Sequence, residues 1–124
     1  MVDPADLQVK LKIISADYAA KLPEKLAQID QAWEQLPTDK WDEESFQALY
    51  RMVHSLTGSG KTFGFALLSD VARNMEGCIQ QIAQAKIVPD EKQRNHIRVL
   101  LSELHQVTLQ KDAADQSERI AGIS

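Results

Sequence analysis

Apolar residues recur along most of this chain at steps of three and four, the spacing that gathers them on one face of an α-helix. Leu7, Leu11, Ile14 and Tyr18 make a first short stripe, and Leu26, Ile29 and Trp33 a second. Pro23 stands between them and is expected to begin or kink a helix, because proline is tolerated in a first turn and disruptive in an interior. Leu36-Pro37-Thr38-Asp39 then closes that helix. Phe46, Leu49, Tyr50, Val53 and Leu56 give the next stripe, with Asp42 placed to cap its start and Glu43 and Glu44 at the positive end of its dipole. Leu68, Val71, Ala72, Met75, Ile79, Ile82 and Ala83 form a long third stripe whose polar side carries Asp70, Arg73, Asn74, Glu76 and Gln80. Pro89-Asp90-Glu91 suits a first turn, and Ile97, Leu100, Leu101, Leu104 and Val107 follow as a core face.

No stretch alternates with period two for long enough to make a strand, so the chain reads as all-α. Helices that each bury one stripe satisfy one another as an antiparallel up-and-down four-helix bundle, here with an additional short N-terminal helix. A length of 124 residues suits one domain with one core. Residues 1–110 are expected to form that bundle. Residues 111–124 carry no stripe and are expected to be a flexible tail or the start of an interdomain linker.

Charge and composition narrow the possible roles. A formal charge of −4 argues against a general nucleic-acid binder, which needs a basic face to neutralise phosphates. Met1-Val2-Asp3-Pro4 resembles no signal peptide, and no segment approaches the ~20 apolar residues of a membrane span, giving the expectation of a cytoplasmic protein. Cys78, the single cysteine, is expected to be a small core residue between Met75 and Ile79. Trp33 and Trp41 read as packing residues. A long heptad repeat is absent, so a monomer is expected.

The candidate chemistry lies where the second stripe runs into glycines. His54 sits just off the apolar face, with Arg51, Gly58 and Lys61 at helical spacings that flank it, and Gly58, Gly60 and Gly64 follow within ten residues. Glycine in a helix interior costs roughly 1 kcal/mol relative to alanine, so such a cluster points to close approach by a ligand, a helix or a partner. Gly58-Ser59-Gly60-Lys61-Thr62 imitates the end of a phosphate-binding loop, but Ser55 stands where its first glycine belongs and the preceding residues are helical rather than a strand. His96 and His105, nine residues apart, point about half a turn from each other and cannot share a metal, and no familiar zinc spacing includes His54.

The run His54, Leu56, Gly58, Ser59, Gly60 and Gly64, with Phe63 and Phe65 around the last glycine, resembles the signature of histidine-containing phosphotransfer (HPt) domains of bacterial multistep phosphorelays. The family's usual lysine three residues after the histidine is Thr57 here, and Lys61 is expected to offer a replacement charge about 10 Å along the axis. The resemblance implies that His54 accepts a phosphoryl group on Nε2 from a receiver-domain phospho-aspartate and passes it to another receiver. It implies partners among response regulators and hybrid sensor kinases. It also implies no cofactor on this chain, the magnesium belonging to the receiver, and no intrinsic kinase activity. Gly58, Lys61, Thr57 and Gly64 are then supporting residues, while Arg51, Met52, Ser55, Ser59 and Phe65 are candidates for the partner surface. Two other readings are a bundle that has kept the fold as an adaptor without carrying phosphate, favoured by Thr57, and a kinase fragment, disfavoured because no ATP-binding segment is recognisable.

Overall fold

The computed structural model describes residues 4–109, with side chains given for 5–108. Four helices appear in order: α1 (Pro4–Glu34), α2 (Glu43–Thr62), α3 (Ala66–Ala85) and α4 (Glu91–Leu109), with no strand among the described residues. Each packs on two neighbours, α1 on α2 and α4, and α3 on α2 and α4, while the two diagonal pairs make no close backbone approach. The core between them runs from Leu22, Leu26 and Ile29 of α1 through Phe46, Leu49, Val53 and Leu56 of α2 to Met75 and Ile79 of α3 and Ile97 and Leu104 of α4.

The start of the chain differs from the expectation. Among the described residues there is no separate short N-terminal helix; α1 runs unbroken for 31 residues with Pro23 inside it. The proline deprives the Ala19 carbonyl of its helical partner and costs about 3 kcal/mol in an interior position. Tyr18, Leu22, Leu26 and Ile29 form one stripe across it, all buried. At ~1.5–3 kcal/mol for each fully buried large apolar side chain, that stripe outweighs the proline. The expected core residues Leu7, Leu11 and Ile14 are instead 51, 53 and 47% exposed. The reason is length. By helix rise α1 spans about 46 Å while the 19- and 20-residue helices span about 30 Å, leaving its first turns beyond the bundle. The expected tail, 111–124, lies outside the described residues.

Helix ends follow the sequence signals. Asp42 caps α2 by accepting from the Ser45 amide and hydroxyl at 3.3 and 2.9 Å. These bonds, the amide's first, hold the Asp42 carboxyl below its ordinary range. Asp90 and Gln93 exchange reciprocal bonds at the start of α4, the Gln93 amide donating to Asp90 Oδ1 at 2.8 Å and the Asp90 amide to Gln93 Oε1 at 2.9 Å. Trp41 packs against Phe46 with the rings tilted at 45° and donates to Glu43, Trp33 packs on the core, and Cys78 is half-buried against it, where burial pushes its thiol up. His105 meets Asp30 at 2.6 Å and joins α4 to α1.

The turn at residues 63–65 reverses the chain between α2 and α3. The Phe65 amide donates to the Gly60 carbonyl at 2.7 Å and the Gly64 amide to Lys61 at 3.5 Å, the paired bonds of a Schellman stop with Gly64 at φ 89°. Gly60 is buried where a Cβ would stand 3.4 Å from both the Phe65 oxygen and the Ser69 nitrogen, so α3 rests on bare backbone there. A Cβ at Gly58 would meet nothing within 4 Å. Thus Gly60→Leu is expected to destabilise the fold by about 1–3 kcal/mol through overpacking. Gly58→Ala should stabilise it by about 0.5–1 kcal/mol through helix propensity. Urea denaturation of both variants checks the contrast.

Candidate functional site

His54 sits at mid-length of α2, one position past buried Val53 and therefore on the shoulder of the helix that meets α3. Its side chain is 65% exposed. Cross-helix bonds set the register. His54 Nδ1 lies 2.6 Å from Glu76 Oε1, and four residues back along α2 the Tyr50 hydroxyl accepts from Gln80, four residues forward along α3, at 3.0 Å. Tyr50 also donates to Glu76 Oε1 at 3.2 Å and stacks on the imidazole, 5.8 Å between centroids and 12° between planes. Ser69, buried, donates to the Thr57 carbonyl at 2.6 Å and fastens the same pair of helices on the turn side.

The protonation pattern of the ring follows from its partner. The Glu76 side chain is only 14% exposed, and that burial pushes its carboxyl up. The hydrogen bond from His54, the nearby Thr57 hydroxyl, the charge of a protonated His54 and the Tyr50 bond together outweigh it, so Glu76 is held below the ordinary carboxyl range. At neutral pH it is therefore an ionised carboxylate that can only accept. Nδ1 must therefore carry a proton, so that in the neutral imidazole the free lone pair is on Nε2, which has no hydrogen-bond partner among the described residues. An exposed, fixed, nucleophilic nitrogen is what this arrangement offers. Among the described residues no three His, Cys, Asp or Glu side chains gather to hold a metal.

The remaining expected residues divide between two sides of α2. Thr57, one turn from His54, donates to the Val53 carbonyl at 3.1 Å beside Glu76. Lys61 is exposed and unpaired among the described residues, two turns along the same shoulder. Arg51, Met52, Ser55 and Ser59 face the other way and line, with Lys25 of α1, a groove of about 310 Å³. A second groove of about 410 Å³, lined by Gln47, Tyr50 and Gln80, lies on the α3 side, so His54 stands between two shallow depressions. Ser59 donates to the Ser55 carbonyl at 2.8 Å, which leaves the Tyr18 hydroxyl to donate to Ser59 at 2.7 Å. Burial pushes the Tyr18 phenol up, with the Ser59 bond opposing.

Phe65 does not belong to any exposed surface. It is 3% exposed, its ring 5.8 Å from that of Tyr18, because the residue after the left-handed glycine of the turn folds back over the helix end. Gly64 is likewise a turn residue, and Gly60 a helix-packing one. Of the three glycines only Gly58 opens space beside His54. Sequence reasoning missed Glu76 and Tyr50. Tyr50 was visible only as one more residue of the apolar stripe, and Glu76 only as one polar residue among several on α3. The spacing of 22 residues between His54 and Glu76 has no meaning until the turn at 63–65 brings the helices together.

Residues 14–110 match the family model of the Hpt domain. No curated protein and no solved structure matches the chain.

Replacing Glu76 by Leu is expected to release the ring from the Nδ1–H tautomer, visible as a change in the two imidazole ¹⁵N shifts at neutral pH. The pH dependence has a definite sign. Because the folded carboxyl titrates below its ordinary value of 4.5, the stabilisation from this contact is fully present above that pH and is lost as pH falls through the lowered value. The acid side of a stability–pH curve should therefore flatten in Glu76→Gln, while the neutral side keeps its shape.

Proposed function

The chain belongs to the Hpt domain family, whose place is in two-component signalling, and from that footing we propose that it is a histidine phosphotransfer protein with His54 as its phosphoacceptor. The single observation that carries this reading is the bond between His54 Nδ1 and an ionised Glu76, which aims a free Nε2 lone pair outward from an exposed ring. In the reaction Nε2 attacks the phosphorus of a receiver phospho-aspartate in line. The P–O bond to the aspartate breaks, its carboxylate leaves, and the new N–P bond makes the ring an imidazolium whose proton stays on Nδ1, donated to the Glu76 carboxylate. That carboxylate stabilises the positive charge as it grows on the ring. The reverse sequence hands the phosphoryl group to the aspartate of a second receiver.

Phosphoryl transfer is governed by positioning and by neutralising the equatorial oxygens. In this reading the magnesium and its acidic pocket belong to the receiver, and this chain needs no cofactor of its own. The exposed ring between two shallow grooves suits insertion into a partner's cleft. Gly58 lets that partner approach the ring, and Arg51, Met52 and Ser55 meet it on the α1 side, with Ser59 at the edge of that contact. Thr57 supports Glu76 and Lys61 adds positive charge to the rim. The contact is transient and modest in area. The same reading takes residues 1–110 as an antiparallel up-and-down bundle, acting as a cytoplasmic monomer; no helix among the described residues is long and apolar enough to cross a membrane.

The test is transfer of radiolabelled phosphate from a panel of phosphorylated receiver domains to the protein and to His54→Gln. Acid-labile, base-stable label that vanishes in the variant is the expected result; binding without label from any receiver would favour an adaptor instead. Gly58→Leu should fold normally yet lose transfer by about tenfold or more, since a misplacement of ~1 Å in a phosphoryl-transfer geometry is enough to do so. Unchanged transfer in that variant would remove Gly58 from the docking surface.

A further inference from the structure

A phosphorylated His54 presents a charge problem that the residues named so far do not solve. The phosphoryl group brings roughly two negative charges, the imidazolium offsets one, and the Glu76 carboxylate adds another. The family's usual lysine would supply a cation from position 57, but Thr57 is neutral and its hydroxyl is turned to the Val53 carbonyl and Glu76. Lys61 lies seven residues from His54, about 10.5 Å along the axis.

The helix register offers a nearer cation. Stepping back four residues from His54 to Tyr50 on α2 corresponds to stepping forward four from Glu76 to Gln80 on α3. Stepping forward three from His54 to Thr57 therefore reaches Arg73, about 4.5 Å along the axis from the His54–Glu76 contact. Successive 100° steps put Arg73 on the same outer shoulder of α3 as Gln80, which already reaches across to Tyr50. Arg73 is exposed and makes no hydrogen bond or ion pair among the described residues. The acids three residues to either side, Asp70 and Glu76, do not pair with it, and Glu76 Oε1 is occupied by His54 and Tyr50. Thr57, which the register sets opposite Arg73, is short and turned to its own helix, so no long side chain of α2 stands at that level.

We infer that Arg73 takes the place of the missing lysine, reaching from α3 past the short Thr57 side chain to hold the oxygens of the phosphoryl group on His54. A planar guanidinium suits this better than an ammonium reaching from further away, because it can donate two parallel hydrogen bonds to one phosphoryl group. The cation comes from the neighbouring helix rather than from the histidine's own helix. The inference rests on the phosphoacceptor reading of His54 and adds to it a residue that touches the transferred group.

The experiment uses phosphoramidate as donor, so that receiver docking plays no part. Nε2 attacks its phosphorus, the P–N bond of the donor breaks, and ammonia leaves with the proton already on that nitrogen. Initial rate of labelling and lifetime of the phosphohistidine are measured for the wild-type chain, Arg73→Ala, Lys61→Ala, and the double variant Arg73→Ala with Thr57→Lys. Arg73→Ala should lower both quantities about fivefold, an exposed charge-assisted hydrogen bond being weaker than a buried one. Lys61→Ala should change them less than twofold on the same scale. Adding Thr57→Lys to Arg73→Ala should restore them, an outcome that a merely structural role for Arg73 would not produce.

Wild-type rate and lifetime in Arg73→Ala overturn the inference while leaving labelled His54, and the proposed function, intact. A loss that Thr57→Lys does not repair assigns Arg73 to the helix pair and also overturns it. Absence of label on the wild-type chain overturns both.

Discussion

The close packing of α3 on the bare backbone of α2 at Gly60 is the constraint from which the site follows. Because no side chain separates the helices there, the turn can close with the Phe65 amide on the Gly60 carbonyl, and Ser69 can reach the Thr57 carbonyl from α3. Two turns further along, that spacing leaves Glu76 within 2.6 Å of His54 Nδ1. A wider gap would leave a half-buried carboxylate without its donors and the imidazole free to rotate. The packing contact and His54 are thus parts of one helix hairpin, and the rest of the bundle serves to hold that hairpin in register.

Electrostatics then convert register into reactivity. The carboxylate keeps its charge despite low exposure because several donors converge on it, His54 among them. Its charge in turn fixes which imidazole nitrogen is protonated, and so which is nucleophilic. The ring is thus held by its partner on one side and open to solvent on the other.

The overhang of α1 has a different origin. Its apolar residues continue the periodicity of the buried stripe, yet no other helix extends far enough to cover them, so the same pattern gives core in one half of the helix and exposed surface in the other. Pro23 illustrates the same dependence on context. Read locally it breaks a helix, and within the bundle the burial of its neighbours carries the helix through it.

Much of this protein was legible in its amino-acid order because local physics decides it. Helical periodicity alone gave α2, α3 and α4 and most of their core positions, the Asp42 cap follows from a side-chain oxygen next to free amides, and the glycine cluster marked the region of His54. What the order could not show were relations between residues distant along the chain. Whether Phe65 faced a partner or the core, whether Gly58, Gly60 and Gly64 shared one role or had three, and which group oriented the histidine all depend on how α2 and α3 meet. A turn of three residues sets that meeting, and a carboxylate 22 positions away acquires its meaning only from it. Local sequence therefore specified the helices and singled out His54, and tertiary packing chose which of its nitrogens is left free, because a tautomer is fixed by its partner and that partner is brought by the fold.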